Sequence, residues 1–323
     1  MLAPLRLFEP SLERGRALTG AVRASLKESL EHLSAACEPV LPEVTGYLAN
    51  PLDILRAGLP LPPEAFGSYF ELGEALLGGD NERATNAARL LSGISPGSAE
   101  LAFHRRGSSG AALLDKVLDQ RCGDEAFGFA PIPEPLFLEF RELVNEGLDL
   151  LRRGFPDLHG EITAIISDLL FAQAPEGALM EFDGASHYQF WGLLILNPKH
   201  HRTPLAVAEV LAHESGHSLL FGLTIDEPLV FNPDEELYPS PLRIDPRPMD
   251  GIYHATYVSA RMALAMETLA GSGFLTPEEG DWAEKAAEKD RHHFATGLKT
   301  IEEYGQLSET GREILDHARR WVG

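Results

Sequence analysis

Cysteine is almost missing from this chain of 323 residues, since Cys37 and Cys122 are the only two and lie far apart. That scarcity excludes a disulfide framework and any CxxC metal knuckle or redox pair, and it fits a reducing compartment. Cationic side chains are also short in supply, with 27 Lys and Arg against 49 Asp and Glu and a formal net charge of -22. A surface of that sign repels phosphate backbones and anionic head groups, so neither nucleic acid nor a membrane is expected as a partner. If a peptide binds, the same charge favours a neutral or basic one. The longest apolar run, Phe190 to Leu196, is far below the roughly 18 residues that a membrane span needs. The opening segment MLAPLRLFEPSLERGR carries no apolar stretch of signal-peptide length, which makes the cytoplasm the expected location.

What is present is an ordinary globular composition, 44% hydrophobic and 24% charged, sufficient for a large buried core and wrong for a disordered chain. Leu18, Val22, Leu26, Leu30 and Leu33 recur at three- to four-residue steps, which predicts a helix from Ser11 to about Cys37, ended by Pro39 and Pro42. Helical patterns also cover about Pro63 to Leu77 and Asn81 to Leu91, so residues 1–130 are expected to form a mainly helical region. Pro131-Ile-Pro-Glu-Pro135 reads as a stiff link, and residues 131–323 as a second, metal-binding region with C-terminal helices. Within it, Leu136 to Arg153 and Leu158 to Ala172 are predicted helices.

The pattern then changes. Residues 178–183 and 188–196 read as two strands joined by the polar turn Gly184-Ala-Ser-His187. Trp191, Leu193 and Ile195 would share one face of the second strand and Phe190, Gly192 and Leu194 the other, so both faces are apolar, as in a buried strand. The edge of such a strand can pair with the backbone of a bound peptide. Thr203 suits an N-cap, Pro204 the first helical position and Gly222 the C-terminal cap, which predicts a helix over about Pro204 to Phe221. Residues 228–248 read as an ordered loop. Further helices are expected at about Gly251 to Leu269, Pro277 to Leu298 and Ser308 to Val322. The expected fold class is α+β, helix-dominated with a small sheet.

Inside the capped helix stands His213-Glu214-Ser215-Gly216-His217, an HExxH sequence. Histidines at i and i+4 lie above one another on a helix face, so both imidazoles can reach one metal ion with the glutamate beside it. The helix is apolar elsewhere, and a shared metal satisfies two buried imidazoles at once. Gly216 costs about 1 kcal/mol relative to alanine in mid-helix, which points to a close approach of something else there. The extended metzincin spacing would need Gly and His where Leu220 and Leu223 stand, so that class is excluded. A third ligand can come from Glu267 on the next long helix, as in gluzincins, from Glu235 or Glu236 in the loop, or from His254 near the start of that helix, the favoured choice. Zinc hydrolysis would use Glu214 as the general base. Fe(II) oxygen chemistry would need positions for O2 and a 2-oxo acid, whose far carboxylate calls for a forked cation. Arg261, two turns beyond His254 on the same face, is the first candidate, with Arg243 and Arg247 next.

These residues resemble a known family, the HExxH-type 2-oxoglutarate-dependent peptide β-hydroxylases that modify ribosomally made peptides. The resemblance rests on His213-Glu-Ser-Gly-His-Ser-Leu-Leu220, on Ser240-Pro-Leu-Arg243 with Arg247-Pro248, and on Gly251-Ile-Tyr-His254 leading to Tyr257-Val-Ser-Ala-Arg261. It covers about Gly177 to Ala270 and implies a zincin-like metal helix and an Fe(II) dioxygenase. That enzyme would consume O2 and 2-oxoglutarate, release succinate and CO2, and hydroxylate a β-carbon in a precursor peptide. On this resemblance His213, His217 and His254 hold iron, and Arg261, Arg243 or Arg247 holds 2-oxoglutarate. Glu214, the base of a peptidase, becomes a residue that orients a metal-bound water or the substrate. The alternatives are a zinc-dependent HExxH metallopeptidase and a non-catalytic peptide-binding protein that keeps a metal-shaped helix.

Overall fold

The computed structural model describes residues 7–98, 100–122, 128–178 and 181–322. Eleven α-helices and six short strands are found among them, the α+β, helix-dominated class with a small sheet. The chain divides into two compact units that are not consecutive in sequence. One takes the described residues up to Leu18, Glu142–Ile165 and His201 onward, and the other takes Thr19–Arg141 and Ile166–His200. This partition differs from the division expected near residue 130, because the chain there is tied to strand residues some forty positions later. Ala130 bridges to Gln173, and Phe140 packs edge-on against Phe171 with ring centroids 4.7 Å apart.

The unit that includes Thr19–Arg141 holds most of α1 (Leu12–Cys37), then α2 (Pro42–Arg56), α3 (Pro63–Leu77), α4 (Asn81–Ser92), β1 (Ala102–Arg105), α5 (Ala112–Cys122) and the first part of α6 (Glu134–Gly154). It also holds β2 (Asp168–Phe171), β3 (Gly184–Ser186) and β4 (Leu193–Leu196), which complete a four-stranded sheet in the order β1-β2-β4-β3. The first two pairings are parallel and β3 runs antiparallel to β4. Every residue of β2 and β4 is buried, as expected for central strands that are apolar on both faces. Leu114, Val117, Leu118, Leu170, Phe190, Leu193 and Ile195 form the core on one side.

Three sequence expectations are corrected here. The helix expected to reach Ala172 stops at Ile165 as α7 (Pro156–Ile165), and Asp168–Phe171 is strand, because a four-residue apolar run carries no periodicity that separates strand from buried helix. The segment read as a turn, Gly184 to Ser186, is itself strand β3, while Gly192 at φ 90° breaks the longer run before β4. Part of the other expected strand, Leu179 and Met180, lies outside the described residues. Since β4 pairs on both sides, it offers no free edge to a peptide.

The other unit is helical. It contains the end of α6, α7, α8 (Pro204–Leu223), α9 (Met249–Ala270), α10 (Pro277–Tyr304) and α11 (Glu309–Val322). Between α8 and α9 come only the two-residue strands β5 (Leu237–Tyr238) and β6 (Arg247–Pro248), paired antiparallel. Thr203 caps α8 by accepting from the Ala206 amide at 3.1 Å. The far end is Thr224 rather than Gly222, which lies inside the helix. Helix α10 begins with a full capping box of Thr276 and Glu279. Helix α9 is buried along most of its length, with Gly271 as its C-cap.

Candidate metal centre

Helix α8 buries Leu205, Val207, Val210, Leu211, Leu219 and Leu220, so polar groups on it must find partners within the protein. His213 and His217 stand one turn apart on one face, with their Nε2 atoms 3.1 Å from each other. Helix α9 passes close at Gly216, where a Cβ would lie 3.1 Å from Val258 Cγ1 and 3.7 Å from Arg261 Cγ. That approach is the physical reason for a glycine in mid-helix. It also brings His254 of α9 to His217, Nδ1 to Nδ1 at 3.0 Å. The two rings stack at 14° between planes, and Phe221 covers His254 from the apolar side at 5.1 Å between centroids.

The contacts run as a chain, since His213 Nδ1 in turn meets Met262 Sδ at 3.0 Å. With protons on His213 Nδ1, His217 Nε2 and His254 Nδ1, each contact has one donor and one acceptor and all three rings are neutral. Burial, followed by His213 and His254, holds His217 well below the ordinary imidazole range. Burial also lowers His254, against the opposing pull of Asp250. Neutral imidazoles are what a divalent transition metal requires of histidine.

His217, however, presents opposite edges of its ring to its two neighbours. Among the described residues no three His, Cys, Asp or Glu side chains already encircle one point. The set fits a divalent ion in donor type, and His217 and His254 fit it in burial as well. Glu214 is 5% exposed, and its Oε1 lies 3.9 Å from His213 Nε2. A carboxylate so placed can accept a proton from, or orient, a group held beside His213.

The other candidate ligands fall elsewhere. Glu267 is half exposed and ion-paired with Arg291, Glu236 accepts from the Tyr238 hydroxyl, and Glu235 is exposed. Glu209, one turn before His213, faces another carboxylate. Burial pushes it up to about 6 against the pull of Lys289, and burial together with Glu209 pushes Asp290 on α10 up to about 8.

Of the three arginines, Arg261 is 1% exposed and its guanidinium is already committed. It pairs with Glu161 of α7 and donates to the Phe8 carbonyl at 3.3 Å. Arg14 donates to the same carboxylate through Nε at 2.6 Å. Arg261 therefore serves as an internal tie, which is at odds with the expectation that it holds a co-substrate. Arg243 is exposed. Arg247 is half-buried and pairs with Asp245 at 2.7 Å, and its Nε is buried without a hydrogen bond.

Sequence reasoning passed over Met262, Phe221 and the Arg14–Glu161–Arg261 tie. Glu161 had a readable signal, since it occupies a place in the buried stripe of α7 shared with Leu158, Ile162 and Ile165, and a carboxylate on an apolar stripe implies a buried cation. No protein-family model matches the chain, and no curated protein matches it significantly.

Proposed function

We propose that this protein is a mononuclear Fe(II), 2-oxoglutarate-dependent oxygenase that hydroxylates the β-carbon of a residue in a ribosomally synthesised precursor peptide, with α8 as a zincin-like metal helix. The observation that carries the reading is the partner of the HExxH pair: His254, and not Glu267, meets His217. Three imidazoles without a ligating carboxylate match the ligand set implied by the family resemblance. Bound iron with 2-oxoglutarate would supply activation of O2, with succinate and CO2 as by-products.

The chain's own residues have narrower tasks. His213, His217 and His254 would hold the metal, and burial keeps His217 and His254 in the neutral form that ligation needs. Phe221, Val258 and the aliphatic stem of Arg261 exclude water from the α8–α9 contact. Glu214 orients substrate or water from beside His213. With Arg261 fully buried and tied to Glu161, the far carboxylate of the co-substrate falls to Arg247, which immediately precedes α9 on β6 and is partly exposed, with Arg243 as second choice. A cytoplasmic, peptide-modifying role accords with the charge balance, and no helix among the described residues is long and apolar enough to cross a membrane.

The test is succinate formation by protein loaded with iron without oxygen, followed by admission of O2 with candidate peptides present or absent. Succinate that requires both iron and O2 supports the oxygenase. One observation favours a second reading, a zinc peptidase, namely the buried Glu214 carboxylate beside His213. Tight zinc binding with peptide cleavage that fails in Glu214→Gln, and no succinate, would decide for it.

A further inference from the structure

Residues 225–248, between the two helices that carry the histidines, combine two features that rarely coincide. They expose large apolar side chains, with Phe231 at 56%, Leu237 at 57% and Ile244 fully exposed. They also hold six carboxylates against two arginines. Single exposed hydrophobics need no explanation, but three within one short, ordered, acidic segment point to an interaction surface.

The segment is ordered by specific bonds. Buried Asn232 donates to the Tyr238 hydroxyl at 3.1 Å and to the Tyr304 carbonyl at 2.9 Å, and accepts from the Gln306 amide at 2.6 Å. The Tyr238 and Tyr304 rings lie 5.3 Å apart. Phe231 and Leu237, each next in sequence to a member of this knot, are thereby fixed at one end of α10. The segment also runs straight into α9, where Arg247 lies against Gly251, one turn before His254.

We propose that residues 225–248 are the docking surface for a peptide rich in apolar and basic side chains, namely the part of the substrate that lies beyond the reacting residue. The proposal rests on the peptide-hydroxylase reading for its occupant. Charge selects among occupants: the carboxylates attract Lys and Arg, whereas an anionic lipid surface or a second copy of the same acidic patch is repelled. Exposed apolar side chains supply the desolvated anchors and the acidic rim supplies orientation.

The test is fluorescence polarisation with metal-free, full-length protein and three labelled peptides of equal length, alternating Leu-Lys, Leu-Glu and Ser-Lys. Leu-Lys is expected to bind saturably and more weakly at high salt, with Leu-Glu and Ser-Lys much weaker. Phe231→Ser and Ile244→Ser should each weaken Leu-Lys about tenfold, the size of an interface anchor. Leu77→Ser, at a leucine of the other unit more exposed than Phe231, should leave binding unchanged. Equal binding of Leu-Glu, or an equal effect of Leu77→Ser, or no effect of the two loop variants, would overturn the proposal. Because binding is read without metal, its outcome is separate from turnover. Loop-dependent capture with no succinate would sink the oxygenase alone, and succinate with an unaltered peptide KM in Phe231→Ser would sink the docking surface alone.

Discussion

Replacing Glu161 with glutamine keeps the shape and one acceptor oxygen while removing a single negative charge from between two guanidinium groups. In the wild type the side chains of Arg14, Glu161 and Arg261 are 3%, 1% and 1% exposed, so the variant leaves two buried cations facing a neutral amide. Removing one member of a buried ion pair costs about 3–5 kcal/mol, most of it the desolvation of the charge left behind. At roughly 2–4 °C per kcal/mol for a unit of this size, the apparent Tm should fall by about 6–20 °C. The same carboxylate accepts from the Ser11 amide at 3.1 Å, and the two arginines hold the Leu7 and Phe8 carbonyls. Amide exchange should therefore rise first around Leu7–Arg14 and in the middle of α9. Thermal unfolding followed by circular dichroism, with hydrogen exchange by mass spectrometry, reads both effects. Replacing all three residues by methionine should recover most of the loss, since a well-packed apolar triad is often as stable as a buried ionic one. A Tm for Glu161→Gln within about 2 °C of wild type would refute the reasoning, because it would put the cost below about 1 kcal/mol.

The same geometry fixes other outcomes. His254→Ala should lose metal affinity by at least about tenfold and abolish metal-dependent turnover, while Glu267→Ala, at a half-exposed ion pair, should change neither; titration with Fe(II) or Co(II) followed by absorbance checks both. Gly216→Leu should destabilise by about 1–3 kcal/mol through overpacking against Val258, measured by urea unfolding. Arg247→Ala should raise the 2-oxoglutarate requirement, read as KM in the succinate assay, and an unchanged KM would pass the role to Arg243. Asp290 is raised from the ordinary 3.8 to about 8. The folded state thus keeps a proton that the unfolded chain releases near pH 4, and stability falls as pH rises between those values, by up to about 1.4 kcal/mol per unit. Asp290→Asn should flatten that slope, and an unaltered pH–stability curve would show that Asp290 is already ionised.

Local signals made the histidine-bearing helix legible. The Thr203 cap, Pro204 at the first turn and the i, i+4 histidines are encoded within a few residues of one another, and helix α8 starts where they place it. Gly216 was readable as a point of close approach because glycine in mid-helix has a known cost. The helix boundaries at Cys37, Pro63 and Pro277 were legible for the same reason, being set by prolines, caps and apolar spacing. Strands β2 and β3 were not, because four- and three-residue strands are stabilised by the neighbours they pair with and leave too little pattern in the sequence. Residue types and spacings thus determined the class of fold, the helix that bears the histidine pair and the apolar character of that helix. Tertiary structure alone decided that His254 meets His217, that Arg261 is held by Glu161 and the Phe8 carbonyl, and that Arg14 shares the same carboxylate, since those contacts join residues 37, 100, 253 and 147 positions apart. No local preference of the chain can specify a partner at that distance; it is chosen by which helices pack together and by the need of each buried charge for its opposite.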